Sequence, residues 1–84
     1  MPPIPTGVGE DFLRVIHQVD QQCEILAGLY LIETWQVRAA IKHLHRTTEL
    51  YLGDIVADGG HHELHQLLWK IREGGISLSE WKDV

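Results

Sequence analysis

Apolar positions along this chain recur at helical spacing. Phe12, Ile16, Val19, Cys23, Leu26 and Tyr30 fall at intervals of 4, 3, 4, 3 and 4, and Val37, Ile41, Leu44, Thr48, Tyr51 and Ile55 repeat those intervals. Such spacing lines one side of an α-helix with side chains that leave water. The period-two alternation of a half-buried strand is missing from both series. Glu10 and Asp11 place negative charge where a first helical turn favours it. The two series predict two helices, the second ended by Asp58-Gly59-Gly60. Thr34 is the expected N-cap at their joint, and one continuous helix through the joint is the alternative.

A third helix is expected from about His61 to Glu73, with Leu64, Leu67, Leu68 and Ile71 on one face and Gly74-Gly75 as its stop. Ser77 followed by Glu80 is a capping-box pattern, flanked by Ile76 and Trp81 as a hydrophobic staple. It predicts a short fourth helix whose Trp81 must dock on something, because a stub of this length is not stable alone. The first nine residues hold all three prolines and two glycines and read as a flexible arm. The expected architecture is therefore all-α. An arm over residues 1–9 precedes one helical domain over 10–84: a small bundle of three helices and a short C-terminal helix, completed by oligomerisation.

Size explains why oligomerisation enters. An 84-residue chain buries only about 60% or slightly more of its unfolded surface, so its core is marginal without a staple. Cys23 is the single cysteine, which excludes a disulfide within the chain and suits a reducing, cytoplasmic setting. Met1-Pro2-Pro3-Ile4-Pro5 has neither the basic nor the apolar region of a signal peptide. The apolar run Ile25 to Ile32 is far too short for a membrane span. That run is apolar all round. Leu26 and Tyr30 continue the main seam, while Ile25, Leu29 and Ile32 form a second stripe roughly 100° away. A helix in a monomeric bundle needs one buried face, so the second stripe reads as a homo-oligomer interface, most simply a dimer.

Charge narrows the partners. The net charge of −5 argues against general nucleic-acid binding. Residues 1–33 hold five acids and one base, giving −4, whereas residues 34–58 balance at three and three. Trp35, Arg38, Lys42 and Arg46 share one side of the second helix, a face for a partner protein or, as a lesser reading, for a nucleotide. Part of that face is expected to pair with Asp20 and Glu24. Trp69 and Trp81 join Trp35 as partner-binding positions, since Trp is enriched at interface hot spots.

Six histidines are present. His61 and His65 stand at i and i+4, and His62 and His65 at i and i+3, so either pair can aim two imidazoles at one ion, with zinc or nickel the candidates. The string lacks the two residues between Glu63 and His65 that a metalloprotease motif needs, and no resident cofactor is expected. No nucleophile–base pair, phosphate loop or inward carboxylate pair is visible, so the chain reads as non-enzymatic. The sequence reading is thus a small protein-binding adaptor, regulator or inhibitor acting as a homo-oligomer. The alternatives are transition-metal or small-ligand binding through His61, His62 and His65, and nucleotide or nucleic-acid binding on the Trp35, Arg38, Lys42 and Arg46 face.

Overall fold

The computed structural model describes residues 6–74, with side chains from Phe12 onward. Four α-helices follow in order: α1 (Thr6–Tyr30), α2 (Thr34–Thr48), α3 (Leu52–Val56) and α4 (His62–Arg72), with a 3₁₀ turn at Ala57–Gly59 between the last two. The fold is an all-α small helical bundle with no strand among the described residues. No helix is long and apolar enough to cross a membrane. Helix α1 begins inside the stretch read as an arm, so Glu10 and Asp11 fall beyond its first turn. The expected helix at Ser77, with Ile76, Glu80 and Trp81, lies outside the described residues.

The joint between α1 and α2 is a break, not a continuous helix. Leu31 sits in the left-handed region (φ 58°), and the Ile32 N–H donates to the Ala27 carbonyl at 3.0 Å. That is a Schellman-type stop, in which the residue at the left-handed position is usually glycine. Its apolar clasp is Ile32, which packs on the core. Leu31 itself is 79% exposed. Leu31→Gly is therefore expected to raise stability by about 1 kcal/mol, because it relieves the left-handed strain and removes no buried contact. Urea unfolding followed by circular dichroism measures it, and an unchanged or lower midpoint contradicts this account. The N-cap of α2 is Glu33, one residue before the expected Thr34; its N–H is met by the Gln36 side-chain oxygen at 2.8 Å.

The second apolar series is not one helix. α2 stops at Thr48, Glu49 turns left-handed (φ 59°), and helix resumes only at Leu52. Two threonines supply the cause. Thr47 and Thr48 donate their hydroxyls back to the His43 and Leu44 carbonyls at 2.9 and 2.6 Å, and the Leu50 N–H turns to the Thr48 hydroxyl at 3.3 Å. Side-chain bonds of this kind compete with the helical ladder. His45 locks the turn: its Nδ1–H donates to the Leu50 carbonyl at 2.6 Å. Thr48 and Tyr51, expected on the seam, are both exposed as a result.

The core gathers Cys23, Leu26 and Ala27 of α1, Val37, Ala40, Ile41 and Leu44 of α2, Ile55 and Val56 of α3, and Leu64, Leu68 and Ile71 of α4. No polar or charged residue is buried among the described residues. The Gln22 side-chain oxygen is enclosed without a hydrogen-bond partner, the one imperfection of its kind there. Helix lengths decide which part of the seam is covered. At about 1.5 Å per residue, 25-residue α1 runs about 37 Å and 15-residue α2 about 22 Å. The first part of α1 therefore overhangs. Phe12 and Ile16, placed on the seam by periodicity, are 66% and 39% exposed.

Candidate functional site

The overhang opens a groove. Its walls are Phe12, Val15, Ile16 and Val19 of α1 and Ile41 of α2, with Tyr51, Leu52 and Gly53 at the start of α3. Its volume is about 480 Å³. Arg38, Lys42 and His45 bring basic and imidazole groups from α2, and Asp20 is the acidic residue of the lining. Arg38 meets Asp20 at 2.8 Å, strapping α1 to α2 as the charge pattern anticipates. Both groups are about half exposed, so the pair contributes at most about 1 kcal/mol. It fixes the guanidinium at the groove edge, and the hydrogen bond that Arg38 donates to the Asp20 carboxylate pushes the Arg38 pKa above its ordinary value. Lys42 is exposed.

The expected Trp35–Arg46 face is divided. Arg38 and Lys42 line the groove, while Trp35 and Arg46 are exposed elsewhere on α2. Trp69 is half exposed but already engaged: it stands edge-on to Tyr30 with centroids 6.4 Å apart, and Arg72 lies 5.2 Å over its ring. Trp81 lies outside the described residues. On the second stripe of α1, Ile25 is 52% and Leu29 64% exposed. Ile32 does not continue that stripe, because the left-handed Leu31 redirects it onto the core.

The histidines separate into two sets. His65 leaves the expected metal group. Its Nε2 lies 2.8 Å from the Gly59 carbonyl and its Nδ1 2.6 Å from the Tyr30 hydroxyl. A carbonyl only accepts, so Nε2 must carry a proton, and Nδ1 of the neutral ring then accepts from Tyr30. His65 thus joins the α1 terminus to the glycine turn. Gly60 allows this approach, since a Cβ there would stand 3.1 Å from Nε2. His61 caps α4 by accepting the Glu63 N–H at 3.2 Å, and its ring stacks on His62 at 4.4 Å. The donor atoms of His61, His62 and Glu63 all lie within 4.8 Å of one another. Glu63 takes the place that the i, i+4 spacing assigns to His65.

Cys23 has no catalytic setting. It is buried in the core, and burial pushes its thiol pKa up, with neighbouring Arg38 opposing only in part. A protonated, enclosed thiol is a small core residue and a poor nucleophile. The groove itself escapes sequence reading because Phe12, Ile16, Val19 and Ile41 of its apolar wall are residues that periodicity assigns to the buried seams. The one signal was the Thr47-Thr48 pair, which ends α2 at 15 residues against the 25 of α1 although the two apolar series are equally long. No protein-family model matches the chain, and neither a curated protein nor a solved structure shows significant similarity to it.

Proposed function

We propose that this chain is a non-enzymatic protein-binding module that works as a homo-oligomer and takes an acidic amphipathic helix of its partner into the α1–α2–α3 groove. The observation that carries this reading is the groove: an apolar trough along a helix overhang, with Arg38, Lys42 and His45 beside it. An amphipathic helix laid into such a trough buries residues at i, i+3, i+4 and i+7 and sets its flanks against the trough's edges. Acidic flanks would meet Lys42 and raise the association rate, an effect weakened by salt. Self-association is supported by the separate exposed stripe of Ile25 and Leu29, since exposed apolar patches on small domains mark interaction surfaces.

The test uses two fluorescent helical peptides with the same leucine face, one flanked by glutamates and one by lysines. The acidic peptide is expected to bind, more weakly as salt rises, and the lysine peptide to bind at least about tenfold more weakly, equivalent to about 1.4 kcal/mol. Ile16→Asp should abolish binding while the chain stays folded, because Ile16 is already 39% exposed. Lys42→Glu should reverse the preference between the peptides. Equal binding of both peptides, or acidic-peptide binding that survives Ile16→Asp, overturns the groove assignment.

A further inference from the structure

The opposite side of α2 carries a second, chemically different recess. Between α2 and α4 lies a polar cleft of about 340 Å³, lined by His43 and Thr47 from α2 and by His62, Glu63, Gln66 and Lys70 from α4. On its α4 wall stands the group in which His61, His62 and Glu63 bring their donor atoms within 4.8 Å of one another. Of the other residues lining the cleft, His43 alone has an imidazole, thiol or carboxylate. We propose that this cleft is a divalent transition-metal site, in which His62 and Glu63 bind the ion, His61 stands beside them, and His43 reaches it from α2.

Three physical points support the assignment. The first is local geometry. His61 is extended (φ −61°, ψ 147°) as the N-cap, and His62 begins the helix. The chain turns there, so consecutive side chains converge instead of fanning out. The second is donor chemistry. Imidazole nitrogens with one carboxylate suit zinc, nickel or copper(II) over calcium or magnesium, which prefer all-oxygen shells. Tetrahedral zinc places its donors about 3.3 Å apart, from bonds of about 2.0–2.1 Å. The donor atoms of His61, His62 and Glu63, within 4.8 Å of one another, would have to draw closer around an ion, and His62 is exposed. The third is mechanical. One ion held by α2 and α4 would cross-link two helices of a domain too small for a large core and without a cysteine pair.

Two effects oppose binding and shape the site. The positive end of the α4 dipole repels a cation, and the Glu63 carboxylate offsets it. His61 Nδ1 already accepts the Glu63 N–H, so coordination by His61 would displace a helix cap. His62 and Glu63 are therefore the principal ligands, and His61 the weakest contributor.

Untagged, chelator-stripped protein titrated with zinc sulfate tests the site by calorimetry, with thermal unfolding in parallel. The expected result is one saturable zinc per chain and a melting temperature that climbs with free zinc, since a ligand of the folded state alone stabilises it by mass action. His62→Ala and Glu63→Gln should each weaken binding by more than the roughly 10–100-fold typical of losing an outer-shell partner. His43→Ala should also weaken it, and His17→Ala, on exposed α1 surface, should leave it unchanged. His62→Ala should keep the helical circular dichroism of the wild type, which separates ligand loss from unfolding. Absence of zinc uptake, or zinc uptake and stabilisation unchanged by His62→Ala, overturns the site. Affinity unmoved by His43→Ala overturns the link to α2.

Discussion

Leu26→Asp is expected to unfold the chain. Leu26 is 2% exposed, beside Cys23 and Ala27 in the core that α1 shares with the other helices. No buried polar residue stands among the described residues to receive a carboxylate there. An unpaired charge in such a place costs several kcal/mol, and a domain of this size has about 5 kcal/mol of stability in all. Far-ultraviolet circular dichroism should show most of the helical signal lost, and urea should produce no cooperative transition. Leu26→Ala is the milder companion. A cost of about 2–5 kcal/mol leaves it marginally folded, with a greatly lowered midpoint. A folded, cooperative Leu26→Asp protein would mean that α1 leaves the bundle easily and that its seam is not the centre of the core.

Periodicity located the core well where a neighbouring helix covers the seam. Cys23 and Leu26, Val37, Ile41 and Leu44, and Leu64, Leu68 and Ile71 are all buried as their spacing indicates. It misjudged Phe12 and Ile16 because a hydrophobic repeat identifies a face of a helix and carries no information about the length of what packs on it. That length was set by Thr47 and Thr48, whose hydroxyls end α2. The residues after them keep an apolar rhythm, so the break was masked. Ile55 returned to the core through a new helix, while Tyr51 was left outside.

The chemistry was legible where its determinants are neighbours in sequence. His61 and His62 do converge, and Arg38 does pair with Asp20 across helices whose charges are complementary. His65 was misassigned because its two partners, Tyr30 and Gly59, are brought to it only by the turn at Ala57–Gly59 and by the way α1 ends. A ring held at both nitrogens has no lone pair left for a metal. Ile32 was misassigned for a related reason: a single left-handed residue, Leu31, reverses the direction in which the next side chain points. A helical wheel extended through that residue is wrong from there on.

Under the proposed self-association along the Ile25–Leu29 stripe, Leu29→Asp is expected to yield folded monomers. Leu29 is 64% exposed and Ile25 52% exposed within one chain, so a carboxylate at either place meets water in the monomer and costs little. In an assembly whose subunits meet along that stripe, the same carboxylate is buried without a partner and costs several kcal/mol. The penalty therefore falls on association alone, unlike that of Leu26→Asp. Light scattering after gel filtration, over a hundredfold range of concentration, reads the subunit number. Circular dichroism on the same fractions should show unchanged helicity. Ile25→Asp should behave alike. Ile32→Asp should not: its side chain packs on the core, so it should lower stability whatever the assembly state. A wild type that remains monomeric throughout removes the oligomer from the functional reading and leaves the groove as the binding surface. A dimer that persists in folded Leu29→Asp protein moves the interface to another exposed apolar surface, such as the Phe12–Ile16 overhang of α1.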